Sequence, residues 1–421
     1  MLISEPIQKK CAFCESADLS QILDFGEVAL AGGFLKPENF DSERYYPLSL
    51  FFCNHCFAVQ VLDRIDPEVL FRDYFYFSSS INTLRQHFRQ FAIDVSRRFL
   101  NPLASSVLEF GCNDGVLLKP FLDLGFKTVV GVDPARNVTE KISDKRVTVF
   151  NDFFNESTAG EIVAKYGKFD LVAANNVYAH IPDIQGVTRA VEMCLARDGI
   201  FIFEVHYLGK VISEMQYDMI YHEHLYYYSL LALQNHFKLY DFIVFDCEAI
   251  PTHAGSMRFY VCRLGSRYAA PTDRLKALEI EELNAGYDRF NRFHLFSKHV
   301  NTKREELLTL LRDLKRRGKT IAGYGASGRA NTMIQYCGLS QDILDFMIDD
   351  APAKQGFYTP GSHFEIKGRD VLIGDSPPDY VLVFAWSFFE EIRGNNHDYL
   401  AKGGKMILPL PTVTIVDRDG L

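Results

Sequence analysis

The stretch from Val107 to Asp133 constrains this chain more than any other, because it prescribes a buried strand, a tight loop, a helix and a second strand closed by an acid. Ser106-Val-Leu-Glu109-Phe reads as a strand of the kind buried on both faces of a parallel sheet. It breaks at Gly111-Cys-Asn113-Asp-Gly115, and a second strand, Thr128-Val-Val-Gly-Val, ends at Asp133. This is the layout of a nucleoside site: the loop lets a ligand approach the backbone, and the acid takes the two ribose hydroxyls. A dinucleotide loop wants G-x-G-x-x-G, so that a pyrophosphate can sit on the helix N-terminus. Here the pattern is E-x-G-x-N-x-G, with Asn113 where the second glycine would stand. Glu109 is placed to receive a cationic amine and would repel phosphate. That combination suits S-adenosylmethionine, which carries an ammonium, a sulfonium and no phosphate. Asp152, after Val-Thr-Val-Phe, is expected to bond an adenine amine, and Asn175 to close the same rim.

Strands are expected near 105–110, 127–132, 146–150, 169–174 and 199–205, with helices between them. That alternation predicts an α/β fold with a doubly wound, Rossmann-like parallel sheet and its ligand crevice at the carboxyl ends of the strands. Met257–Cys262 should extend the sheet. At 421 residues there is room for flanking units. The expected division is a zinc-binding lobe at 1–70, the cofactor-binding core at 71–265, and a helical connector with a second α/β unit at 266–421. Pro67–Leu100 carries a helical pattern, interrupted by the aromatic–serine cluster Tyr74-Phe-Tyr76-Phe-Ser-Ser-Ser80.

In the first lobe, Cys11-Ala-Phe-Cys14 and Cys53-Asn-His-Cys56 form two C-x-x-C knuckles, the signature of four thiolates on a structural zinc. Four cysteines leave no open position for catalysis. Asp24–Leu50 is expected to fold out of the ribbon as an insertion, and His55 to be a solvated turn residue.

After the sheet comes the densest titratable run, Tyr221-His222-Glu223-His224-Leu-Tyr-Tyr-Tyr228. Tyr226 stands where H-E-x-x-H would need its second histidine, so a metalloprotease reading fails. A helical run would put Tyr221, His224 and Tyr228 on one face; an extended one would pair His222 with His224. Either way an imidazole lies near a phenol and a carboxylate, the groups that acid–base work needs. The competing reading is an aromatic strand packed against the zinc lobe.

Farther on, Gly323-Tyr324-Gly325-Ala-Ser327-Gly328-Arg-Ala-Asn331 does match G-x-G-x-x-G, and Asp349 ends the next strand. Alone this predicts NAD, but such a loop binds any diphosphate, including that of a nucleotide sugar.

Together these blocks resemble the sugar C-methyltransferases, which methylate C3 of nucleotide-linked sugars on the way to branched deoxysugars. The resemblance runs nearly end to end. It rests on the cysteine pairs, Tyr76-Phe-Ser-Ser, Glu109-Phe-Gly-Cys-Asn-Asp-Gly, Asn176-Val-Tyr-Ala-His180-Ile-Pro-Asp, Tyr221-His-Glu-His, the Gly323 loop, and Asp349-Asp-Ala-Pro-Ala-Lys354-Gln-Gly-Phe-Tyr358. It implies that His224 is the general base with Tyr221 and Glu223 beside it, and that Tyr76 and His180 line the sugar site. It further implies that Tyr324, Ser327, Gly328, Asn331, Asp349, Lys354 and Tyr358 hold the nucleotide, and it leans toward a monomer. Rival classes are an O- or N-methyltransferase, an NAD-linked sugar oxidoreductase, and a non-enzymatic zinc-ribbon sensor. Net charge is −9 and no basic run stands out, which argues against nucleic acid as a partner. With no apolar leader or span, a cytoplasmic protein without a membrane partner is expected.

Overall fold

The structure, a computed structural model, describes residues 9–71 and 77–420, with His253 described in its backbone only. Three sheets organise the described residues. In the first, β1 (Leu19–Ala29), β2 (Tyr45–Cys53) and β3 (Val59–Val61) run antiparallel. The expected insertion at Asp24–Leu50 is not a separate excursion. Those residues are the arms and tip of the ribbon's own hairpin, which pairs as far as Ala29 opposite Tyr45. Register shifts between Gln21 and Leu23 and between Asp24 and Glu27 absorb the polar, glycine-containing stretch that reads as a loop. The strands persist because Ile22, Leu23, Val28, Leu48 and Leu50 are buried in a core shared with the C-terminal unit.

The second sheet holds β4 (Ser106–Phe110), β5 (Thr128–Val132), β6 (Thr148–Phe150), β7 (Phe169–Asn175) and β8 (Leu195–His206). The chain then sends a two-residue strand, β9 (Tyr226–Tyr227), to β3 of the first sheet. It returns with β10 (Phe242–Ile250) and β11 (Ser256–Arg263). The order is β10-β11-β8-β7-β4-β5-β6, parallel from β8 to β6, with β11 antiparallel to both its neighbours. The five strands and the β11 extension lie where the sequence puts them. Chain order reverses between β4 and β7, so a crevice opens at their carboxyl ends. A Cβ on Gly131 would lie 2.7 Å from Cys112 Sγ and 2.8 Å from Leu118 Cδ1. The bare backbone there is what lets the loop after β4 press onto β5. Pro67–Leu100 is helical at Pro67–Phe71 and Asn82–Phe99, and the latter helix buries Leu84, Phe88, Phe91 and Val95 against the sheet.

The third sheet comprises β12 (Ile321–Tyr324), β13 (Phe346–Ile348), β14 (Ile366–Lys367), β15 (Tyr380–Val383), β16 (Lys405–Leu408) and β17 (Thr414–Val416). Its order is β14-β13-β12-β15-β16-β17, with only β17 antiparallel. The connector forms helices Asp273–Ala285 and Phe290–Arg316. From the first, buried Glu282 accepts the N–H groups of Leu230 and Leu231 at 2.8 and 2.9 Å and the Tyr207 hydroxyl at 3.0 Å. It thereby satisfies the open N-terminus of helix Leu230–Phe237.

The β1–β2 tip docks on the C-terminal unit. Ala29 donates its N–H to Gln335 Oε1 at 2.8 Å and accepts from Asn331 Nδ2 at 3.3 Å. Leu35 and Tyr358 exchange backbone bonds. Gly32 lies beside Glu223, where a Cβ on it would sit 3.6 Å from Glu223 Oε1. Among the described residues, no helix is long and apolar enough to cross a membrane.

Candidate active site

The loop after β4 is shaped by backbone conformations that favour small residues. Gly111 has φ +68° and Asn113 φ +50°. A Cβ on Gly111 would fall 2.6 Å from Val177 Cγ2, so no side chain fits. Asp133 ties the loop to β5: Oδ2 accepts the Asn113 N–H at 2.9 Å and Oδ1 accepts the Ala135 N–H at 2.9 Å. Each oxygen keeps a second lone pair for a ribose hydroxyl. Burial raises the Asp133 carboxyl above the usual range.

Glu109 is 3% exposed; its Oε1 accepts from Asn175 Nδ2 at 3.4 Å, and its Oε2 is buried without a partner. Burial pushes this carboxyl up to about 8, the Asn175 bond opposes that, and the charges of Asp133, Asp114 and Glu204 add to it. A buried acid with an unused oxygen is suited to a ligand ammonium, so the donor set fits S-adenosylmethionine. Motif spacing does not identify what covers the loop. Ser78 donates its N–H to Asn113 Oδ1 at 3.0 Å, and Ser79 donates to Asp114 Oδ2 at 3.1 Å.

A cavity of about 1390 Å³ opens at the carboxyl ends of the strands. Gly111, Asn113, Asp133 and Asn175 line it, as do His180, Tyr221, Glu223 and His224, and so do Arg329, Ser387 and Phe388 of the C-terminal unit. Gly115, at φ +78° beside Ile142, shapes the loop without reaching the wall. Asp152 is exposed and accepts the N–H of Phe153 at 2.8 Å; Phe153 and Asn155 stand in the wall instead. Tyr76 lies outside the described residues.

The Tyr221–His224 segment is neither helix nor strand but a turn following Tyr217–Met219. Tyr221 and His224 do meet, as a helical face would require, with the phenol oxygen 3.1 Å from His224 Nε2. Tyr228 turns away and donates to the Tyr178 carbonyl at 2.9 Å. His222 also points elsewhere, 3.0 Å from the Pro47 carbonyl. His224 Nδ1 lies 3.0 Å from the Met219 carbonyl, which can only accept, so Nδ1 carries the proton and Nε2 keeps a basic lone pair. The His180 ring stands edge-on, 5.0 Å from that of His224. Burial lowers His180 to about 4, against backbone bonds to Glu223 and Asn176, so it is neutral at pH 7; its Nδ1 is buried and unpartnered. Burial also raises Glu223 to about 7.

None of the seven residues expected to hold the nucleotide lines this cavity. Tyr324 donates to Asp350 at 2.7 Å, and Ser327 caps helix Gly328–Cys337 through the Ala330 N–H. Gly328 packs against Ala31 and the Tyr221 ring, while Asn331 and Tyr358 hold the hairpin tip. Lys354 Nζ donates to the Ala326 carbonyl at 2.7 Å and to Asp349 Oδ2 at 3.1 Å. Asp349, the acid that a dinucleotide would use for its ribose, is tied to Lys354 and to the Ala351 N–H and stands outside the wall of the cavity. Arg329, inside the same motif, is the member that reaches the cavity.

The four Sγ atoms of Cys11, Cys14, Cys53 and Cys56 all lie within 4.8 Å of one another, with Cys11–Cys56 at 3.5 Å and Cys14–Cys53 at 3.7 Å. Tetrahedral bonds of about 2.3 Å require sulfurs roughly 3.8 Å apart, so the cluster fits a structural zinc. His55 is exposed beside it.

Three family models match in succession: "Putative zinc binding domain" over residues 11–71, "Methyltransferase domain" over 84–245, and "C-methyltransferase C-terminal domain" over 251–411. The C-methyltransferase NovU of Streptomyces niveus is 32% identical over 99% of both chains. A ubiquinone biosynthesis O-methyltransferase of Rhodopseudomonas palustris is 33% identical over 22% of this chain and 36% of its own length. Among solved structures, an S-adenosylmethionine-dependent methyltransferase from Clostridium acetobutylicum aligns with TM-score 0.33 at 15% identity, covering 44% of this chain and 93% of that one.

Proposed function

As a member of the C-methyltransferase family this chain transfers a methyl group from S-adenosylmethionine to carbon, and we propose that the carbon is C3 of a nucleotide-linked 4-keto sugar. The observation that carries this reading is the Tyr221–His224 pair, joined through the basic nitrogen of His224, which lines the same cavity as Gly111 and Asn113. Methylation at oxygen or nitrogen uses a lone pair already present. A carbon must first lose a proton, and a neighbouring ketone makes that proton acidic.

His224 Nε2 is the group that takes it. The Met219 carbonyl holds the tautomer and stabilises the imidazolium that forms. The Tyr221 hydroxyl, which rests on Nε2 in the free protein, is the donor at hand for the oxygen that gains charge as the enolate develops. His180, kept neutral by burial, adds an uncharged polar group to the same wall. Asn113, Asp133 and Glu109 bind and orient the donor, and Ser78 and Ser79 close over their loop. The bound cofactor supplies an electrophilic methyl that the sugar carbon accepts. Holding two large substrates in one crevice supplies much of the rate by positioning.

The test is hydrogen exchange in deuterated water on thymidine-diphosphate 4-keto sugars, alongside methyl transfer. Wild type should exchange the C3 proton. His224→Ala should cut exchange and turnover by ~10²–10⁴-fold. Its affinity for S-adenosylhomocysteine should stay within about twofold, since His224 is no part of the proposed donor set. Near-normal turnover in His224→Ala removes the base assignment; methyl transfer by wild type without C3 exchange removes the enolate.

A further inference from the structure

The cavity has one cationic corner to which the sequence motifs assign no role. Among the described residues that line it, Arg329 is the only arginine or lysine, against six aspartates and glutamates. The chain as a whole is acidic, at net charge −9. An anion entering such a wall is repelled unless a cation is fixed there to meet it.

Arg329 is fixed. Its Nε donates to Asp218 Oδ2 at 2.9 Å, and its Nη1 donates to Ser387 Oγ at 3.2 Å. The guanidinium lies 4.8 Å from the ring centre of Trp386, whose indole N–H donates to the same Asp218 oxygen at 3.0 Å. Asp218 is fully buried, so it acts as a rigid anchor for the arginine. The remaining nitrogen, Nη2, is buried and has no acceptor. Buried guanidinium donors are rarely left this way, because the lost hydration is not replaced. Oδ1 of Asp218 is likewise buried without a partner, so Nη2 belongs to the anchor side of the guanidinium, and the side that Nη1 shares with Ser387 is the one that a ligand would meet.

The glycine loop of β12 offers no equivalent. Its cation, Lys354, is bonded to Ala326 and Asp349 of the same unit, and the wall of the cavity does not include that loop's amides. Arg329 extends from the first turn of helix Gly328–Cys337 to the wall of the cavity that Tyr221 also lines. We propose that Arg329, with Ser387, grips the diphosphate of the substrate, and that the glycine loop's part is to carry Arg329 and seat the N-terminal hairpin. A planar fork suits two phosphate oxygens better than a point charge does. The proposal rests on the nucleotide-sugar reading above and gives its anion a place.

The test uses the full-length protein saturated with S-adenosylhomocysteine, titrated calorimetrically with thymidine diphosphate and with inorganic pyrophosphate. Wild type should bind both. Arg329→Gln should weaken both by ~30-fold, and Arg329→Lys by less, because the charge survives while the fork is lost. Arg329→Gln leaves the Asp218 carboxylate buried without its cation, so Asp218→Asn with Arg329→Gln serves as the second variant and should show the same loss. Wild-type affinity in both variants overturns the proposal, as does a loss confined to Lys354→Gln. A wild-type protein that binds neither probe at millimolar concentration overturns the nucleotide-sugar reading itself, and the clamp with it. Failure of the clamp alone leaves wild-type binding intact.

Discussion

Binding of the methyl donor should expel a proton from Glu109. At pH 7 a carboxyl raised to about 8 is ~90% protonated. An ammonium arriving at its unused oxygen favours the ionised form, so ~0.9 proton should leave at pH 7. The sign follows from the direction of the shift. Below the raised value the empty site holds its proton, and binding must remove it; well above that value nothing is left to remove. Protonation therefore weakens apparent affinity by ~11-fold at pH 7 and ~100-fold at pH 6, which makes a ~9-fold loss on moving between them. The amine of the ligand stays largely charged over that interval, because α-amino groups titrate near 7.7–8.0.

S-adenosylhomocysteine is the ligand for this measurement, since it keeps the amine and cannot turn over. Calorimetry at pH 7 in buffers of different ionisation enthalpy reads the protons directly, as the slope of observed heat against buffer enthalpy. Glu109→Gln should flatten both the slope and the dependence on pH, and should weaken binding on the order of tenfold or more through loss of a charge-assisted bond. Glu223, raised to about 7, and Asp133, raised by burial, stand in the cavity wall and could also respond, and the Gln variant separates Glu109 from both. A zero slope in wild type, or one that persists in Glu109→Gln, refutes the assignment of the ammonium to Glu109.

Stripping the metal should matter far from the cysteines. Chelation, or Cys53→Ser, should release one zinc and lower both the melting temperature and turnover, because the hairpin rooted at Cys53 ends against Glu223 and helix Gly328–Cys337; an unchanged melting profile in protein shown to be zinc-free would contradict this. Glu282→Ala should destabilise the core on the order of 3 kcal/mol, since it orphans two helix N–H groups and a phenol away from water; urea unfolding measures it, and a shift within error would mean that those donors find other partners.

Much of the fold is legible in the sequence because parallel strands buried on both faces have few alternatives. Ser106–Phe110 and Thr128–Val132 are nearly continuous apolar runs, and their ends are marked by Gly111 and Asp133. The hairpin is harder to read. Asp24-Phe-Gly26-Glu27 looks like a loop, and only a bulge plus burial against another unit keeps it in the strand. The Tyr221–His224 run fits both helical and extended spacing, so period alone could not decide; the turn that brings the two rings together is set by Met219 and by the pairing of β9 with β3. Asp152 follows its strand as a cofactor contact would, yet the chain turns it outward and puts Phe153 in the wall. Arg329 stands inside a recognised motif, directly after its third glycine, at a position for which the motif prescribes nothing. The single tryptophan of the chain, Trp386, was the available signal, and it marks Asp218 and Arg329 only once the fold brings them together.

The docking of the β1–β2 tip bears on how such a catalyst could diversify. The proposed donor pocket belongs to the middle of the chain, but the surroundings of Glu223 are completed from the N-terminal end and the cavity's arginine comes from the C-terminal end. On the proposed site, exchanging residues 71–265 alone between relatives should preserve donor binding and scramble acceptor choice. The heritable unit of specificity is accordingly the whole polypeptide, and new acceptors are more accessible by point changes at the seams than by shuffling of parts.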